Sequence, residues 1–188
     1  LSPDQALKML ADAESQRDWV TTKANSQKWF CSPPCKCPYS FGRVSHPPHD
    51  MPPEMKELLQ KSIRVCTTSP PSNHIMKNQT EECQQFNAET AYITPDFNSA
   101  NLNLYDFDSW TPQHSDDEQI FQTQDVSPEG ELSIISISIG APKIFAVRNK
   151  ITNTEIHITL ENGDILFMEG TTQQYTTHQV FSSPTDPT

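Results

Sequence analysis

Apolar residues recur with two different periods along the chain, and the change falls about midway. In MPPEMKELLQKSIRVC, residues 51–66, the apolar positions lie three or four residues apart after a proline-rich start. This spacing puts them on one face, which predicts an amphipathic helix that packs on a larger body. A second helix is predicted from Ser2, a suitable N-cap followed by Pro3, to about residue 16. Residues 67–90 show neither period and are interpreted as loop.

In the second half of the chain, apolar and polar residues alternate. ELSIISISIG sets isoleucines against serines, and KIFAVRN and EIHITL have the same two-residue period. This period is typical of strands with one buried face. An Asn-Gly pair lies between EIHITL and ILFM, which predicts a tight hairpin of those two strands. Several short strands separated by turns indicate a mainly β sandwich or barrel, with the helices in the first part.

Size and composition favour one globular domain with long loops. The chain has 188 residues, of which 34% are hydrophobic, and its mean hydropathy is −0.63. Nine phenylalanines, three tryptophans and regular strand patterns nevertheless indicate a packed core. No apolar run approaches the roughly 18 residues of a membrane helix, so we expect no membrane association.

Charge is distributed unequally between the two halves. Residues 1–90 carry ten basic and ten acidic residues, whereas residues 91–188 carry three and fourteen, so the net charge of −11 arises in the second half. A protein that coats duplex DNA needs many lysines and arginines against the phosphates, and this chain does not fit that class. Any phosphate contacts would fall to basic residues of the first half: Lys23, Lys28, Lys36, Arg43, Lys56, Lys61, Arg64 and Lys77.

Three of the five cysteines lie close together in CSPPCKC, as Cys31, Cys35 and Cys37. The surrounding segment is dense in proline and aromatic residues, which suits an ordered loop or hairpin. An odd cysteine count argues against a closed disulfide framework and favours free thiols in an intracellular, cytoplasmic or nuclear protein. Structural zinc is the alternative, with His46 or His49 as a fourth ligand, but no matching second cysteine pair follows, so we expect none.

The segment HSDDEQIF has two interpretations, a solvated acidic turn or part of a metal site. His114 and Asp116 are alternate residues, which project to one side at the end of a strand, and His178 follows later on the chain. Two imidazoles and one carboxylate are the protein ligands of non-haem Fe(II) oxygenases. His157 alternates with Ile156 and Ile158 and is expected on the solvent side of its strand. Spacing alone leaves both interpretations open.

The sequence around these residues resembles that of the AlkB family of Fe(II)/2-oxoglutarate dioxygenases. The resemblance is found in three segments that together cover about residues 97–180: FNSANLNLYDFDSWTPQHSDDE, SIISISIGAPKIFAVRNK and LENGDILFMEGTTQQYTTHQV. They match the family order of Asn-x-Tyr, His-x-Asp-x-Glu/Asp, Ser-x-Gly-Ala, Gly-Asp-x-x-x-Met-x-Gly-x-x-Gln and a distal His. Weaker similarity extends to CKCPYSFG and MPPEMKELL, which resemble the substrate-facing hairpin and the helix behind the barrel.

The resemblance implies a role for particular residues. His114, Asp116 and His178 would be the catalytic iron ligands. Asn103 and Tyr105 would donate hydrogen bonds to 2-oxoglutarate. Glu118 would accept from the exocyclic amine of the substrate base, and Tyr39, in the substrate-facing hairpin, would also contact substrate.

The resemblance also implies a fold and an activity. The fold would be mainly β (α+β), a double-stranded β-helix or jelly-roll core over residues 91–188, with N-terminal helices and the hairpin of residues 1–90 packed on it as one domain. With Fe(II), 2-oxoglutarate and O2, the enzyme would remove N-methyl groups from bases of RNA or single-stranded DNA, releasing formaldehyde, succinate and CO2. We expect a monomer that binds methylated nucleic acid.

One feature of the family is missing from this sequence. The family has an Arg-x-Asn-x-Thr-x-Arg strand after the distal His, and here no arginine follows Arg148. Because the other motifs are intact, we expect that the given sequence ends before this strand and that the domain is of the catalytically active type. Two alternatives remain at this stage: a jelly-roll binding module without turnover, and a hydroxylase of protein side chains on the same scaffold.

Overall fold

The computed structural model describes residues 8, 11–12, 18–22, 25–41, 43–68, 97–106, 108–121 and 132–181. Its described strands are β1 (Val20–Thr21), β2 (Ser26–Cys31), β3 (Tyr39–Phe41), β4 (Val44–His46), β5 (Pro48–Asp50), β6 (Ser99–Leu104), β7 (Ile134–Ile137), β8 (Lys143–Asn149), β9 (Glu155–Leu160), β10 (Ile165–Met168) and β11 (Thr176–Phe181). Its described helices are α1 (Pro53–Thr68), α2 (Thr172–Tyr175) and a 3-10 turn over Gln119–Phe121. Two compact units result, residues 1–51 with 98–188, and residues 52–97.

Strand β2 is the centre of the first sheet. One of its edges pairs antiparallel with β6, and the other is shared by β1, antiparallel, and β5, parallel. Every residue of β2 after Ser26 is buried, on both faces of the strand. Trp29, Cys31 and Tyr39 form a core cluster there, against which Phe41 and Phe121 pack. The cluster therefore packs Tyr39 of the β3–β4 hairpin against the sheet that also contains Asn103.

The later strands form two further sheets, one of two strands and one of three. Strand β7 pairs antiparallel with β10, and β8 lies between β9 and β11 in an antiparallel sheet. The chain passes from one sheet to the other after β7, returns after β9 and crosses again after β10. Such connectivity belongs to a jelly roll, and the mainly β prediction is confirmed.

The hairpin predicted around the Asn-Gly pair is wrong, although both of its strands form. Strands β9 and β10 pair with different partners, so the turn joins two sheets. Gly163 has φ +91° and donates its N–H to the Ser138 carbonyl at 2.8 Å, and the Asn162 side chain accepts from Gly140 N–H at 2.9 Å. The turn is thus bound to the end of β7, because turn chemistry fixes the local bend but not which strands pair.

The first half contains more strand than the sequence pattern indicated. The prediction of a helical first part is wrong for residues 20–50, where β1 to β5 lie. The hairpin expected near CKCPYSFG is present as β3 and β4, in which Tyr39 pairs with His46. The helix predicted from Ser2 to about residue 16 lies almost wholly outside the described residues, as does the loop predicted over residues 67–90.

The second compact unit contains the helix that the apolar spacing predicted. Helix α1 spans Pro53–Thr68, and Glu57 and Lys61 form an exposed ion pair of 2.7 Å on it. No described helix is both long enough and apolar enough to cross a membrane. The prediction of a single domain over residues 1–188 stays a prediction.

Candidate metal centre

Backbone hydrogen bonds align the HSDDEQIF segment beside β11. Thr111 N–H donates to the Val180 carbonyl at 3.0 Å, and Val180 N–H donates to the Thr111 hydroxyl at 2.8 Å. Three residues on, His114 and His178 exchange both backbone bonds, at 2.9 and 2.7 Å. The two histidines, 64 positions apart in sequence, are therefore directly opposite each other.

The structure brings the three expected metal ligands together. The ligand atoms of His114, Asp116 and His178 all lie within 4.8 Å of one another. Nε2 of His114 lies 3.6 Å from Asp116 Oδ1, and Nε2 of His178 lies 3.4 Å from Asp116 Oδ2. Among the described residues, these three form the only group of this kind.

Each imidazole has its own orienting contact. Nδ1–H of His114 donates to the Pro112 carbonyl at 2.7 Å, which leaves the lone pair of Nε2 directed towards Asp116. The His178 ring is buried and stacks on Phe145, with ring centroids 5.1 Å apart. Burial, and secondarily the charge of His114, lower the pKa of His178 to about 3. At neutral pH, His178 is therefore an uncharged donor ligand.

Asp116 is held by a residue that sequence analysis did not single out. Its backbone N–H donates to Oε1 of Gln173 at 3.0 Å. Gln173 is 3% exposed, and its amide nitrogen donates to the Met168 sulfur at 3.6 Å. Burial raises the pKa of the Asp116 carboxyl, with Asp117 adding to this and His114 opposing it. The signal that could have found Gln173 is the final Gln of the Gly-Asp-x-x-x-Met-x-Gly-x-x-Gln motif.

This arrangement fits a divalent transition metal. The donor set is two imidazoles and one carboxylate, the set that Fe(II) takes in non-haem oxygenases. Asp116 is half-buried and its neighbour His178 resists protonation, so little positive charge among the described residues offsets the carboxylate. A divalent cation bound by the three side chains would supply that compensation.

Glu118 and Tyr39 meet beside the metal ligands. The Tyr39 hydroxyl donates to Glu118 Oε1 at 3.2 Å, while Glu118 Oε2 is buried with no hydrogen-bond partner in the described part of the chain. Burial is the main reason why the pKa of Glu118 is raised. The Tyr39 and Trp29 rings stack with their centroids 4.8 Å apart, and the Phe41 and His114 rings make an edge contact with their centroids 5.2 Å apart. An acceptor oxygen and an aromatic surface thus adjoin the candidate metal centre.

Asn103 and Tyr105 lie at the end of β6, where an amide network surrounds them. Asn103 Oδ1 accepts from the side-chain amides of Asn25 and Gln27, both at 3.0 Å. Burial raises the pKa of Tyr105 to about 12, and the smaller effect of the Asn25 side chain opposes this, so Tyr105 is a hydroxyl donor at neutral pH. Sequence analysis missed Asn25 and Gln27, which no motif marks.

Cys31, Cys35 and Cys37 lie together beside the aromatic core. Cys31 is buried and its Sγ contacts the Cys37 carbonyl at 3.6 Å, while Cys35 packs on the core cluster. Hydrogen bonds from the Cys37 backbone and side chain lower the pKa of Cys35. His46 is 1% exposed, with both ring nitrogens unpaired within the described residues. That these cysteines hold no zinc stays a prediction.

Fold and site define the class of non-haem iron oxygenases built on a jelly roll. The family model for the 2OG-Fe(II) oxygenase superfamily matches residues 5–187. The chain therefore belongs to that superfamily, whose members use Fe(II), 2-oxoglutarate and O2, and the predicted cofactors are confirmed at this level.

A solved structure supports the AlkB-like fold. The solved structure "The structure of OsALKBH1" is similar with a TM-score of 0.52 and 15% sequence identity, over 100% of this chain and 87% of that one. At this identity the likeness is one of fold alone, and it supports the predicted jelly-roll architecture. A search of curated proteins gave no match.

Proposed function

We propose that this oxygenase removes N-methyl groups from bases of RNA or single-stranded DNA. The observation that supports the proposal is the position of Glu118, two residues beyond Asp116: its Oε2 is buried and has no hydrogen-bond partner among the residues that the structure describes. A buried acceptor without a donor is costly, so the site favours a ligand that supplies an N–H. The exocyclic amine of adenine or cytosine is such a donor.

The residues around Glu118 suit a flat, cationic group. Phe41 is partly exposed beside His114 and offers an aromatic ring on which a base can stack, whereas Tyr39 is buried and supports Glu118 through its hydroxyl. Asp116, Asp117 and Glu118 place three carboxyl groups in three successive positions, which favours a base that carries positive charge. N1-methyladenine and N3-methylcytosine combine a positive charge with an exocyclic amine next to the methyl group.

Each member of the site has a defined task in this proposal. His114, Asp116 and His178 would hold Fe(II), and Asn103 and Tyr105 would donate hydrogen bonds to 2-oxoglutarate. When bound, the ion with its cosubstrate supplies the oxidising chemistry: one oxygen atom enters succinate as CO2 leaves, and the other hydroxylates the methyl group, which departs as formaldehyde. Glu118 and Tyr39 would orient the base so that its methyl group faces the metal.

Phosphate contacts would be few and would lie near the β3–β4 hairpin. Lys36 and Arg43 are exposed before and within the hairpin, whereas Lys28 is 8% exposed and is excluded as a phosphate contact. With few such contacts, binding should be weak and salt-sensitive. A base in a duplex must first be flipped out at a cost of a few kcal/mol, so single strands should be preferred.

The experiment compares formaldehyde and succinate release on oligonucleotides that carry N1-methyladenine or N3-methylcytosine. Each oligonucleotide is supplied as a single strand and as a duplex, with an unmethylated oligonucleotide as control. We expect methyl-dependent formaldehyde release, faster on the single strand. If succinate forms but no formaldehyde appears on any oligonucleotide, the proposal is contradicted in favour of a protein hydroxylase. If neither forms although metal binds, the binding-module alternative is favoured.

That the protein is monomeric and intracellular stays a prediction.

A further inference from the structure

Two buried amide side chains converge on Asn103 from the neighbouring sheet strand. Gln27 lies on β2 directly opposite Asn103 in the antiparallel register, and Asn25 lies just before β2. Asn25 is 6% exposed and Gln27 is 9% exposed. Buried amides are normally paired, and both of these direct an N–H at the same oxygen atom.

These two bonds fix the orientation of the Asn103 amide. Its Oδ1 receives both donors at 3.0 Å, so the two lone pairs of that oxygen are used. The Nδ2 group, which carries two N–H donors, therefore points away from Asn25 and Gln27. No acceptor for it is found among the residues that the structure describes, and Asn103 itself is exposed. Asn103 thus presents a pure donor face to a ligand.

Asn25 is in turn fixed by contacts of its own. Its backbone N–H donates to the Thr22 hydroxyl at 3.2 Å, and that hydroxyl also lies 3.0 Å from the Asn25 carbonyl. Asn25 is therefore held in place where its side-chain amide reaches Asn103.

We infer that Asn25 and Gln27 are positioning residues for 2-oxoglutarate, which hold Asn103 with its NH2 group directed at a carboxylate. The inference rests on the proposed function, in which Asn103 and Tyr105 bind this cosubstrate. A carboxylate accepts hydrogen bonds and cannot donate them, so a turned Asn103 would present its oxygen to the anion and repel it. The two amides therefore determine whether the cosubstrate meets a donor or an acceptor.

Two variants test the inference. Gln27→Met keeps the size of the side chain and removes one of the two donors, so Asn103 is free to turn part of the time. Asn25→Asp keeps the shape and replaces a donor by an acceptor, which attracts Nδ2 of Asn103 and turns the amide. Ser26→Ala is the matched control, because Ser26 lies between them and bonds to Thr21 at 3.0 Å instead.

The measurement is calorimetric titration of 2-oxoglutarate into protein loaded with Mn(II), a redox-inactive substitute for Fe(II). We expect the Kd for 2-oxoglutarate to rise about tenfold or more in Asn25→Asp and about threefold to tenfold in Gln27→Met. The Kd for Mn(II), measured separately, should stay within twofold, and Ser26→Ala should match the wild type in both titrations.

The outcomes separate this inference from the proposed function. If wild type binds Mn(II) but not 2-oxoglutarate, the proposed function fails and the inference fails with it. If wild type binds 2-oxoglutarate and both variants bind it equally well, only the inference is overturned. A parallel loss of Mn(II) and 2-oxoglutarate affinity would also overturn it, because that pattern indicates a general structural role. Should Asn25→Asp not fold, Gln27→Met carries the test.

Discussion

Among single residues of the site, Glu118 has two carboxylate oxygens with different hydrogen bonding. Glu118 accepts one hydrogen bond from Tyr39, and its second oxygen is buried without a described partner. Leaving a buried acceptor unpaired costs about 1–3 kcal/mol, which a bound donor would recover. In the proposed function, the Glu118 carboxyl would therefore contribute more to substrate binding than to the stability of the free protein.

Replacing Glu118 by Ala should therefore impair substrate use selectively. A hydrogen bond to a charged group contributes about 1.5–3 kcal/mol, so kcat/KM for a methylated oligonucleotide should fall by roughly 10- to 150-fold. Tyr39→Phe removes only the supporting hydroxyl and should cost less than tenfold. Succinate formation without nucleic acid should not change in either variant. An unchanged kcat/KM in Glu118→Ala would show that Glu118 does not contact the substrate.

His46 predicts a pH dependence of stability. It is 1% exposed, both ring nitrogens lack a described hydrogen-bond partner, and burial lowers its pKa. The folded protein therefore keeps His46 neutral at a pH where the unfolded chain, with an ordinary histidine pKa of about 6.5, binds a proton. Below that pH the unfolded state binds more protons, so stability must decrease as the pH falls.

The test compares wild type with His46→Phe, which retains a ring against Tyr39. Denaturant unfolding is followed from pH 7.5 to pH 5. The wild type should lose up to about 1.4 kcal/mol per pH unit more than the variant below roughly pH 6.5. Identical pH profiles for the two proteins would mean that His46 is not buried in its neutral form.

At the scale of elements, the two-residue period found the later strands but not β2. Strands β8, β9 and β10 lie where KIFAVRN, EIHITL and ILFM predict them. SQKWFC is buried on both faces, so it has no alternation, and its buried amides Asn25 and Gln27 resemble surface residues in sequence. The pairing of β9 and β10 could not be predicted either. The Asn-Gly pair determines only a local turn, whereas the partners of the two strands are determined by the sheets to which they belong.

The short helix α2 is predicted to support the metal centre through Gln173. Gln173→Leu keeps the volume but leaves the backbone N–H of Asp116 without its partner. We expect the free energy of unfolding of the apo protein to decrease by about 1–3 kcal/mol, and metal affinity to fall as well. Gln174→Leu, on the exposed side of the same helix, is the control. Equal metal affinity in the Gln173 and Gln174 variants would contradict this role.

At the scale of the whole molecule, the candidate site depends on contacts that span most of the sequence. The metal ligands could be expected from the family resemblance, since the spacing of His114 and Asp116 alone is weak evidence and leaves an acidic turn open. The supporting residues could not be predicted, because Asn25, Gln27 and Gln173 act through hydrogen bonds that only the folded chain forms. Motifs therefore identified the groups that would touch metal and ligands, and the fold revealed the groups that orient them.

His114, Asp116 and His178 are expected to bind one divalent metal ion together. The direct test is anaerobic calorimetric titration of Fe(II) into wild type and into the three single alanine variants. His157→Ala, an exposed strand histidine bonded to Glu155, is the control. We predict one ion per chain for wild type and for His157→Ala, and no measurable binding for the other three, each with an intact fold by circular dichroism. Unchanged Fe(II) affinity in His114→Ala, Asp116→Ala or His178→Ala would contradict the claim.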